Sequence, residues 1–131
     1  MSTTTIPTYT ANGAGNIHAS ASLAASATAN DNYDGSAVFE TQVHVKNTPG
    51  GSVAATRGLK IEVFRRYGST PTNGESAFLT YTLPSTTAST AESLDFFLGP
   101  GKYNITITNL DATNAITVVI TGDTVTNLST S

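Results

Sequence analysis

Residues 95–109 read DFFLGPGKYNITITN, and the pattern within this stretch recurs along most of the chain. A Gly-Pro-Gly turn separates two runs in which apolar residues alternate with polar ones. An alternation of period two places every second side chain on the same face of a β-strand. The face predicted to be buried carries Phe96, Leu98, Tyr103, Ile105 and Ile107. The stretch therefore predicts two strands that each have one apolar face.

Four further segments show the same alternation, at residues 36–46, 58–67, 75–84 and 115–121. Their predicted inward-facing residues are Ala37, Phe39, Val43, Val45, Leu59, Ile61, Val63, Tyr67, Ala77, Leu79, Tyr81, Leu83, Ile116, Val118 and Ile120. Arg65 interrupts this pattern, so it is either a buried residue with a partner or the mark of a β-bulge. Together with the opening stretch, these segments give six predicted strands.

Two more strands are predicted at the ends of this alternating region. Residues 17–23 alternate, although their alanines also allow a helix from Leu23 to Ala29. Residues 124–128, TVTNL, predict a short eighth strand. The separators NTPGGS, GSTPTNG, PSTTASTA, GPG and LDATN are rich in turn-forming residues. Short strands at this spacing predict an all-β fold, an antiparallel β-sandwich or barrel of about seven or eight strands.

The first sixteen residues show no periodicity, and two interpretations of them remain open. They form either a disordered terminus or an extended arm that lies across a neighbouring subunit. In the second case Ile6, Pro7 and Tyr9 are the anchors, because a Tyr ring with apolar neighbours gains most from docking. The predicted domain organisation is an extended N-terminal arm at residues 1–16 and a single β-sandwich domain at residues 17–131.

The 131 residues include no cysteine, and charged residues make up 11% of the chain. The absence of Cys excludes disulfide bonds, zinc–cysteine sites and thiol nucleophiles. Charged residues form about a quarter of a typical protein. Sparse charge with abundant hydroxyl groups is more typical of extracellular modules and assembled structural proteins than of soluble enzymes. We expect no membrane partner, because no stretch is long and apolar enough to span a bilayer and no secretory signal is visible.

The chain offers few groups for catalysis. A nucleophile–base–acid arrangement needs a base, and only His18 and His44 are available. GxSxG and HExxH motifs are absent. The nine Asp and Glu residues occur singly, mostly in predicted turns. Two of them could still meet in space to hydrolyse a glycosidic bond, but the sequence singles out no pair. We therefore predict a protein that is not an enzyme, with no catalytic residues and no cofactor.

The segment NDNYDG partly matches a calcium-binding loop. Asn30, Asn32 and Asp34 occupy alternate positions before Gly35, as in the first half of the D-x-[DN]-x-[DN]-G-x5-E pattern. The first ligand is Asn rather than Asp, however, and Thr41 stands where the closing Glu is required. Too little negative charge remains to dehydrate calcium well. A polar loop that enters a strand is the preferred interpretation, and no metal site is predicted.

Five of the six basic residues lie between positions 46 and 66. A nucleic-acid surface needs more cations, with aromatic residues between them, and the net charge is −3. We therefore expect no nucleic-acid partner. The segment is either an ordinary solvated pair of strands or a positive edge that meets a negative edge on another copy of the chain. The predicted partner-interface residues are Ile6, Tyr9, His44, Arg57, Lys60, Phe64, Arg66 and Phe97.

The run LGPGKYNITITNLDATNAITVVITG resembles a recurring phrase of immunoglobulin-like and related β-sandwich modules. In that phrase a Pro-Gly turn leads into a strand that opens with a tyrosine, in the form PGxYxVxVT. Those positions are occupied here by Pro100, Gly101, Tyr103, Ile105 and Ile107. The resemblance implies an immunoglobulin-like or jelly-roll sandwich in which the Tyr103 hydroxyl bonds back to the backbone. It implies no particular activity, and the Cys pair and Trp of antibody domains are missing.

The whole chain resembles the small structural proteins of tailed-bacteriophage virions, and head decoration (cement) proteins most of all. The features that carry this resemblance are the missing secretory signal, the absence of Cys, the low-charge strands rich in Thr, Ser, Ala and Asn, and the N-terminal arm. It implies a non-enzymatic protein that is made in the host cytoplasm and binds the outer surface of the capsid. Its partners would be the major capsid protein and copies of itself, most often in a trimer, with avidity supplying the strength of binding.

Two other functions remain open. The first is a carbohydrate- or receptor-binding module of a tail or fibre, in which exposed aromatic side chains contact the sugar. The candidates for this role are Tyr33, Phe64, Phe78 and Phe97. The second is a tail or neck structural protein built from a similar sandwich. Phe97 is predicted to point outward beside Asp95, and we expect a partner subunit rather than a ligand to cover it.

Overall fold

The computed structural model describes residues 5–50, 58–67, 70–71, 76–84 and 90–130. For residues 5–7, 67, 70–71 and 127–130 it describes the backbone alone. The described residues form ten β-strands and no α-helix. The strands are β1 (Thr5–Thr10), β2 (His18–Leu23), β3 (Thr28–Asp34), β4 (Glu40–Pro49), β5 (Leu59–Tyr67), β6 (Thr70–Pro71), β7 (Leu79–Leu83), β8 (Glu92–Leu98), β9 (Lys102–Asn109) and β10 (Ile116–Thr130). None of the described segments is a helix that could cross a membrane.

The strands form two antiparallel sheets, which we call sheet A and sheet B. In sheet A, β10 is central: β4 pairs with one of its edges, and β8 pairs with the far edge of β4. The other edge of β10 pairs first with β2 and then, toward its C-terminal end, with β1. Sheet B has the order β3–β9–β5, with β7 and the two-residue β6 beside β5. The predicted antiparallel all-β sandwich is confirmed.

The core lies between the two sheets and consists of the residues that the alternation predicts to face inward. The fully buried ones are Val43, Val45, Leu59, Ile61, Val63, Leu98, Ile105, Ile107, Ile116, Val118 and Ile120. Burying a Val, Leu or Ile side chain stabilises a fold by about 1.5–3 kcal/mol. The shared inward faces of the central strands therefore supply most of the apolar burial.

The prediction for Phe39 is wrong, because the alternation does not extend to the residues before β4. Its side chain is 55% exposed, and Ala37 is exposed as well. The strand begins at Glu40, and Thr41 is the first residue to point into the core. The backbone N–H of Phe39 donates to the carbonyl of Val125 (2.7 Å), so the chain enters the sheet only at this point.

Arg65 fits neither predicted role. Its register with β9 is continuous, so there is no bulge, and its side chain is exposed. The guanidinium lies 4.6 Å from the centre of the Phe78 ring, a cation–π contact at the end of β5. The inward face of β5 therefore continues past the core, and a charged residue is tolerated there.

Two segments differ from the predicted assignment, and residues 17–23 form a strand as predicted. NDNYDG is largely strand rather than loop, since β3 includes Asn30, Asn32 and Asp34. Residues 17–23 contribute strand β2, and no helix follows Leu23. The short eighth strand expected at residues 124–128 is the C-terminal part of the long β10.

Residues 5–10, expected in an arm outside the sandwich, form edge strand β1 of this chain's own sheet A. They pair antiparallel with β10, from Thr5 opposite Thr130 to Thr10 opposite Thr124. The fifteen-residue β10 is longer than β2, so its C-terminal half has an open edge that a second strand can pair with. Pro7 is compatible with this position because an edge strand can lack one N–H donor.

The Tyr103 corner is confirmed. The Tyr103 hydroxyl donates to the carbonyl of Gly99 (2.8 Å), and its ring is buried. Beside it, the backbones of Gly35 and Gly101 exchange two hydrogen bonds of 2.8 and 3.3 Å. Gly101 has φ of +150°, at the limit of what other residues adopt. These contacts close the sandwich at the turn that precedes β9.

Asn109 closes the opposite end. It is fully buried, and its side-chain amide donates to the carbonyls of Leu23 (3.2 Å), Ala24 (3.2 Å) and Asn114 (2.8 Å). Its Oδ1 accepts the backbone N–H of Asp111 (3.0 Å). One side chain thus joins the turn after β2 to the turn before β10.

Replacing Asn109 with Ala removes these donors and the acceptor for the Asp111 amide. We expect the free energy of unfolding to fall by about 3 kcal/mol, since each buried polar group left unsatisfied costs about 1–3 kcal/mol. Chemical denaturation, followed by circular dichroism, measures this free energy of unfolding. Thr108→Ala, on the outward face of the same strand, is the control and should change stability by about 0.5 kcal/mol or less. Equal losses in the two variants would contradict this role.

Gly58 is required by close packing. A Cβ at this position would lie 1.8 Å from the carbonyl oxygen of Leu83, which is backbone and cannot turn away. Gly58→Ala should therefore lower stability by about 3 kcal/mol or more. Gly99→Ala is the matched control, because nothing lies within 4 Å of a Cβ there. A Gly58→Ala protein as stable as the Gly99→Ala protein would contradict the packing.

Candidate functional site

The outer face of sheet A is the candidate site, and we call it the sheet-A face. The period of two that buries alternate residues points the others away from the core. The face consists of Glu40, Gln42, His44, Lys46, Ser93, Asp95, Phe97, Val119, Thr121 and Asp123. Strand register arranges them in rows that cross β10, β4 and β8.

One row ends in an exposed aromatic ring. Asp123 is opposite Gln42, and Gln42 is opposite Phe97. Phe97 is 54% exposed, so its predicted outward orientation is confirmed. The ring is therefore available for contact with a ligand or a partner.

The next row contains a hydrogen-bonded imidazole–carboxylate pair. Thr121 is opposite His44, and His44 is opposite Asp95, whose Oδ1 lies 2.6 Å from the imidazole Nδ1. Because an ionised carboxylate can only accept, Nδ1 carries the proton, and Nε2 is left to face other groups. The two side chains are 43% and 50% exposed. The pair thus presents a fixed imidazole to solvent.

A shallow depression lies over this part of the face. Its volume is about 300 Å³, and it is lined by Ala11, Gly13, Ala14, His44, Thr121 and Asp123. The strand residues form its floor. The remaining three belong to residues 11–16, which connect β1 to β2 and which we call the border segment.

The border segment is fastened to β10 by side-chain amides at both ends. Asn12 Nδ2 donates to the carbonyl of Gly122 (2.9 Å) and to Thr124 Oγ1 (3.1 Å). Asn16 Oδ1 accepts the N–H of Gly122 (2.7 Å), and its Nδ2 donates to the carbonyl of the same residue (3.1 Å). Between them, the Gly15 N–H donates to Thr121 Oγ1 (3.0 Å).

Tyr9 lies at the β1 end of the same face. Its hydroxyl donates to Glu40 Oε1 (3.3 Å), and the ring is 42% exposed. Desolvation raises the pKa of the Tyr9 phenol, and the charge of the Glu40 carboxylate and the hydrogen bond to it raise that pKa further. A second aromatic ring therefore borders the face at the side opposite Phe97.

The outer face of sheet B is different in kind. Its amide and hydroxyl groups bond to one another: Asn104 Nδ2 donates to Asn32 Oδ1 (2.9 Å), and the Thr106 hydroxyl donates to Asn30 Oδ1 (2.7 Å). Phe64, the aromatic ring of this face, is half-buried. The sheet-A face is the better candidate because its aromatic ring, Phe97, is 54% exposed.

The predicted interface residues separate into two groups. Tyr9, His44 and Phe97 lie on or beside the sheet-A face. The second group lies on the outward face of β5 in sheet B and consists of Lys60, Phe64 and Arg66. Arg57 and the side chain of Ile6 lie outside the described residues. The cations of residues 46–66 that the structure describes do not form one edge, and the role of all eight residues at a partner interface stays a prediction.

No set of three His, Cys, Asp or Glu side chains is arranged to hold a metal ion within the described residues. In the segment that partly matches a calcium loop, Asn30, Asn32 and Asp34 lie on one face of β3. Asn30 and Asn32 accept hydrogen bonds from Thr106 and Asn104. The segment is part of the sheet, and its amide oxygens stabilise strand pairing.

The depression was missed in the sequence, because its border and the β10 part of its floor are more than a hundred positions apart. One signal was present: ANGAGN contains two glycines between two asparagines. Gly13 and Gly15 have φ of +85° and +76°, and these left-handed conformations turn the border segment back onto β10. The sequence therefore indicates a turn here, but not which strand it contacts.

Comparison with known proteins gives likenesses of structure alone. No family model matches the chain, and no curated protein matches it. Among solved structures, one titled "Family 16 Carbohydrate Binding Module-2" is similar at a TM-score of 0.42 and 10% identity, covering 98% of this chain and 84% of that one. Another, titled "CBM4 structure and function", has a TM-score of 0.42 and 11% identity and covers 96% and 80%. At these values the likeness carries no functional inference. Neither title concerns a phage virion, so the decoration role stays a prediction.

Replacing Glu40 with Gln removes the negative charge that disfavours the phenolate. We therefore expect the pKa of Tyr9 to fall toward its ordinary value, as measured by NMR of the tyrosine ring carbons across the alkaline range. Glu92→Gln is the control, because Glu92 is not among the groups that shift this pKa. A pKa of Tyr9 that is the same in both variants would exclude the Glu40 contact.

Proposed function

We propose that the chain is a non-catalytic carbohydrate-binding module and that the sheet-A face is its binding surface. The observation that carries this proposal is the position of Phe97. Its exposed ring lies in register with the Gln42 amide and next to the imidazole–carboxylate pair of His44 and Asp95. The capsid-decoration role expected from the sequence has no comparable observation in its support.

The chemistry of a sugar ring matches this combination. A pyranose has an apolar face of C–H groups and a rim of hydroxyl groups that both donate and accept. An aromatic ring can stack on the apolar face, because it offers a large contact area at low entropic cost. Gln42, Asp95 and Asp123 supply donors and acceptors that project from the same sheet. Ligand sites of this type combine apolar contact with a few well-placed polar groups.

The geometry of the imidazole supports binding rather than catalysis. Within the described residues, the hydrogen bond of His44 is to Asp95, and Thr121 Oγ1 accepts from the Gly15 N–H. Activation of a hydroxyl nucleophile requires it to be hydrogen-bonded to the base. No such bond joins Thr121 to His44. The hydroxyl of Thr121 is thus held by the border segment and not by the imidazole.

Phe97→Ala should lower the affinity for the best-binding glycan by about tenfold or more, since truncating a central aromatic contact commonly costs more than about 1.4 kcal/mol. A glycan array identifies that glycan, and isothermal titration calorimetry measures its affinity. Phe39→Ala is the matched control, because Phe39 is 55% exposed but precedes β4 and is not one of the residues that form the face.

The outcomes of this experiment distinguish the proposed binding surface from its alternatives. Loss of binding in Phe97→Ala alone supports the proposal. Equal losses of affinity in both variants, or no loss in either, would show that the binding site is not on the sheet-A face. An absence of binding to every glycan on the array would overturn the proposed function. Binding to capsids, abolished by Phe97→Ala, would then point to a protein partner instead.

A further inference from the structure

Among the described residues, the border of the depression lies on one side. Its floor is formed by outward-pointing side chains of β4 and β10, and its border by Ala11, Gly13 and Ala14. These three residues belong to the segment beyond β10, at the edge where β1 and β2 pair with it. Because they line the same space as the outward side chains, the border segment must extend to the outer side of the sheet.

The border segment is held in place by specific contacts. It has six hydrogen bonds to β10, which involve Asn12, Gly15 and Asn16 of the segment and the side chains of Thr121, Asp123 and Thr124 and the backbone of Gly122 in the strand. Gly15 lies close to β2, where an added Cβ would meet the Cα of Ala19 at 3.0 Å. These contacts hold the segment against both β10 and β2. A ligand on the face therefore meets a fixed obstacle there.

The face continues in the other direction. No residue of β8 is part of the lining of the depression within the described chain. The outward side chains of β8, Ser93, Asp95 and Phe97, are all exposed. From β10 to β8 the face crosses two strand spacings, about 10 Å. A ligand held in the depression can extend over β4 onto Phe97, but it cannot extend past the border segment.

We propose that the border segment makes this surface select the end of a saccharide chain. The terminal sugar lies in the depression on His44, Thr121 and Asp123, against the border segment, and the following sugars cross toward Phe97. The inference rests on the proposed function and adds the class of ligand: chain termini rather than chain interiors. The volume fits, because about 300 Å³ is the lower limit of small-molecule pockets, which span about 300–1,000 Å³.

Stoichiometry on long chains tests this inference. The probes are xylan, laminarin and chitin fragments from disaccharide to hexasaccharide, together with longer unbranched chains of the same xylose and glucose polymers, of known length. Calorimetry on a series that binds should give one protein per chain at every length, because each chain offers one matching end. Affinity should level off once the fragment reaches from the depression to Phe97. Several proteins bound per long chain would overturn the inference and leave the proposed function intact.

A variant pair tests the border segment itself. Ala14→Leu places a larger side chain without an aromatic ring at the border of the depression, and it should weaken binding of the shortest fragment by about tenfold or more, because it occupies space that the terminal sugar needs. Ala112→Leu is the control, at an exposed Ala in the turn between β9 and β10. Equal affinities of the two variants for that fragment would overturn the inference. Absence of binding by the wild-type chain to all glycans would instead overturn the proposed function on which it rests.

Discussion

The backbone of β10 is the constraint on which sheet A depends. It is fifteen residues long, and three strands pair with it: β4 along one edge, β2 and β1 along the other. The inward residues of β10 include Ile116, Val118 and Ile120. Because these side chains must reach the core, they fix the register of the neighbouring strands. A shift of one residue would turn the apolar set outward and the polar set into the core.

The same register makes the candidate site. The strand positions that bury Ile120 also present Thr121 and Asp123 on the other side of the sheet. In β4 the burial of Val43 and Val45 obliges His44 to face outward, opposite Asp95. The site therefore needs no loop to position its floor, since the strand ladder does so. Sites on regular elements are held more precisely than sites on loops.

The parts of this arrangement that depend on local pattern were predictable from the sequence. Alternation identified the core strands, and the Pro-Gly-x-Tyr phrase identified the Tyr103 corner. The outward orientation of Phe97 followed from the same alternation. Each of these features depends on side chains that lie only a few positions apart along one strand.

The parts that depend on distant partners were not predictable. Strand β1 exists because β10 has an edge for it, and nothing in residues 5–10 alone shows that edge. The error at Phe39 has a related origin, since the start of β4 is set by pairing rather than by hydrophobicity. The depression depends on contacts such as Gly15 to Thr121, which join positions that are 106 residues apart.

The pairing of β10 also determines the order in which the protein can fold. On the ribosome, β1, β2 and β4 are synthesised well before the strand with which all three pair. Until β10 follows, β1 and β2 lack the strand with which they pair in sheet A, and β4 can pair there only with β8. Long-range pairing of this kind slows folding and leaves strand edges exposed to aggregation. Polar Thr, Ser and Asn side chains along β2, β3 and β4 would then protect the nascent chain as well as cover the finished sandwich.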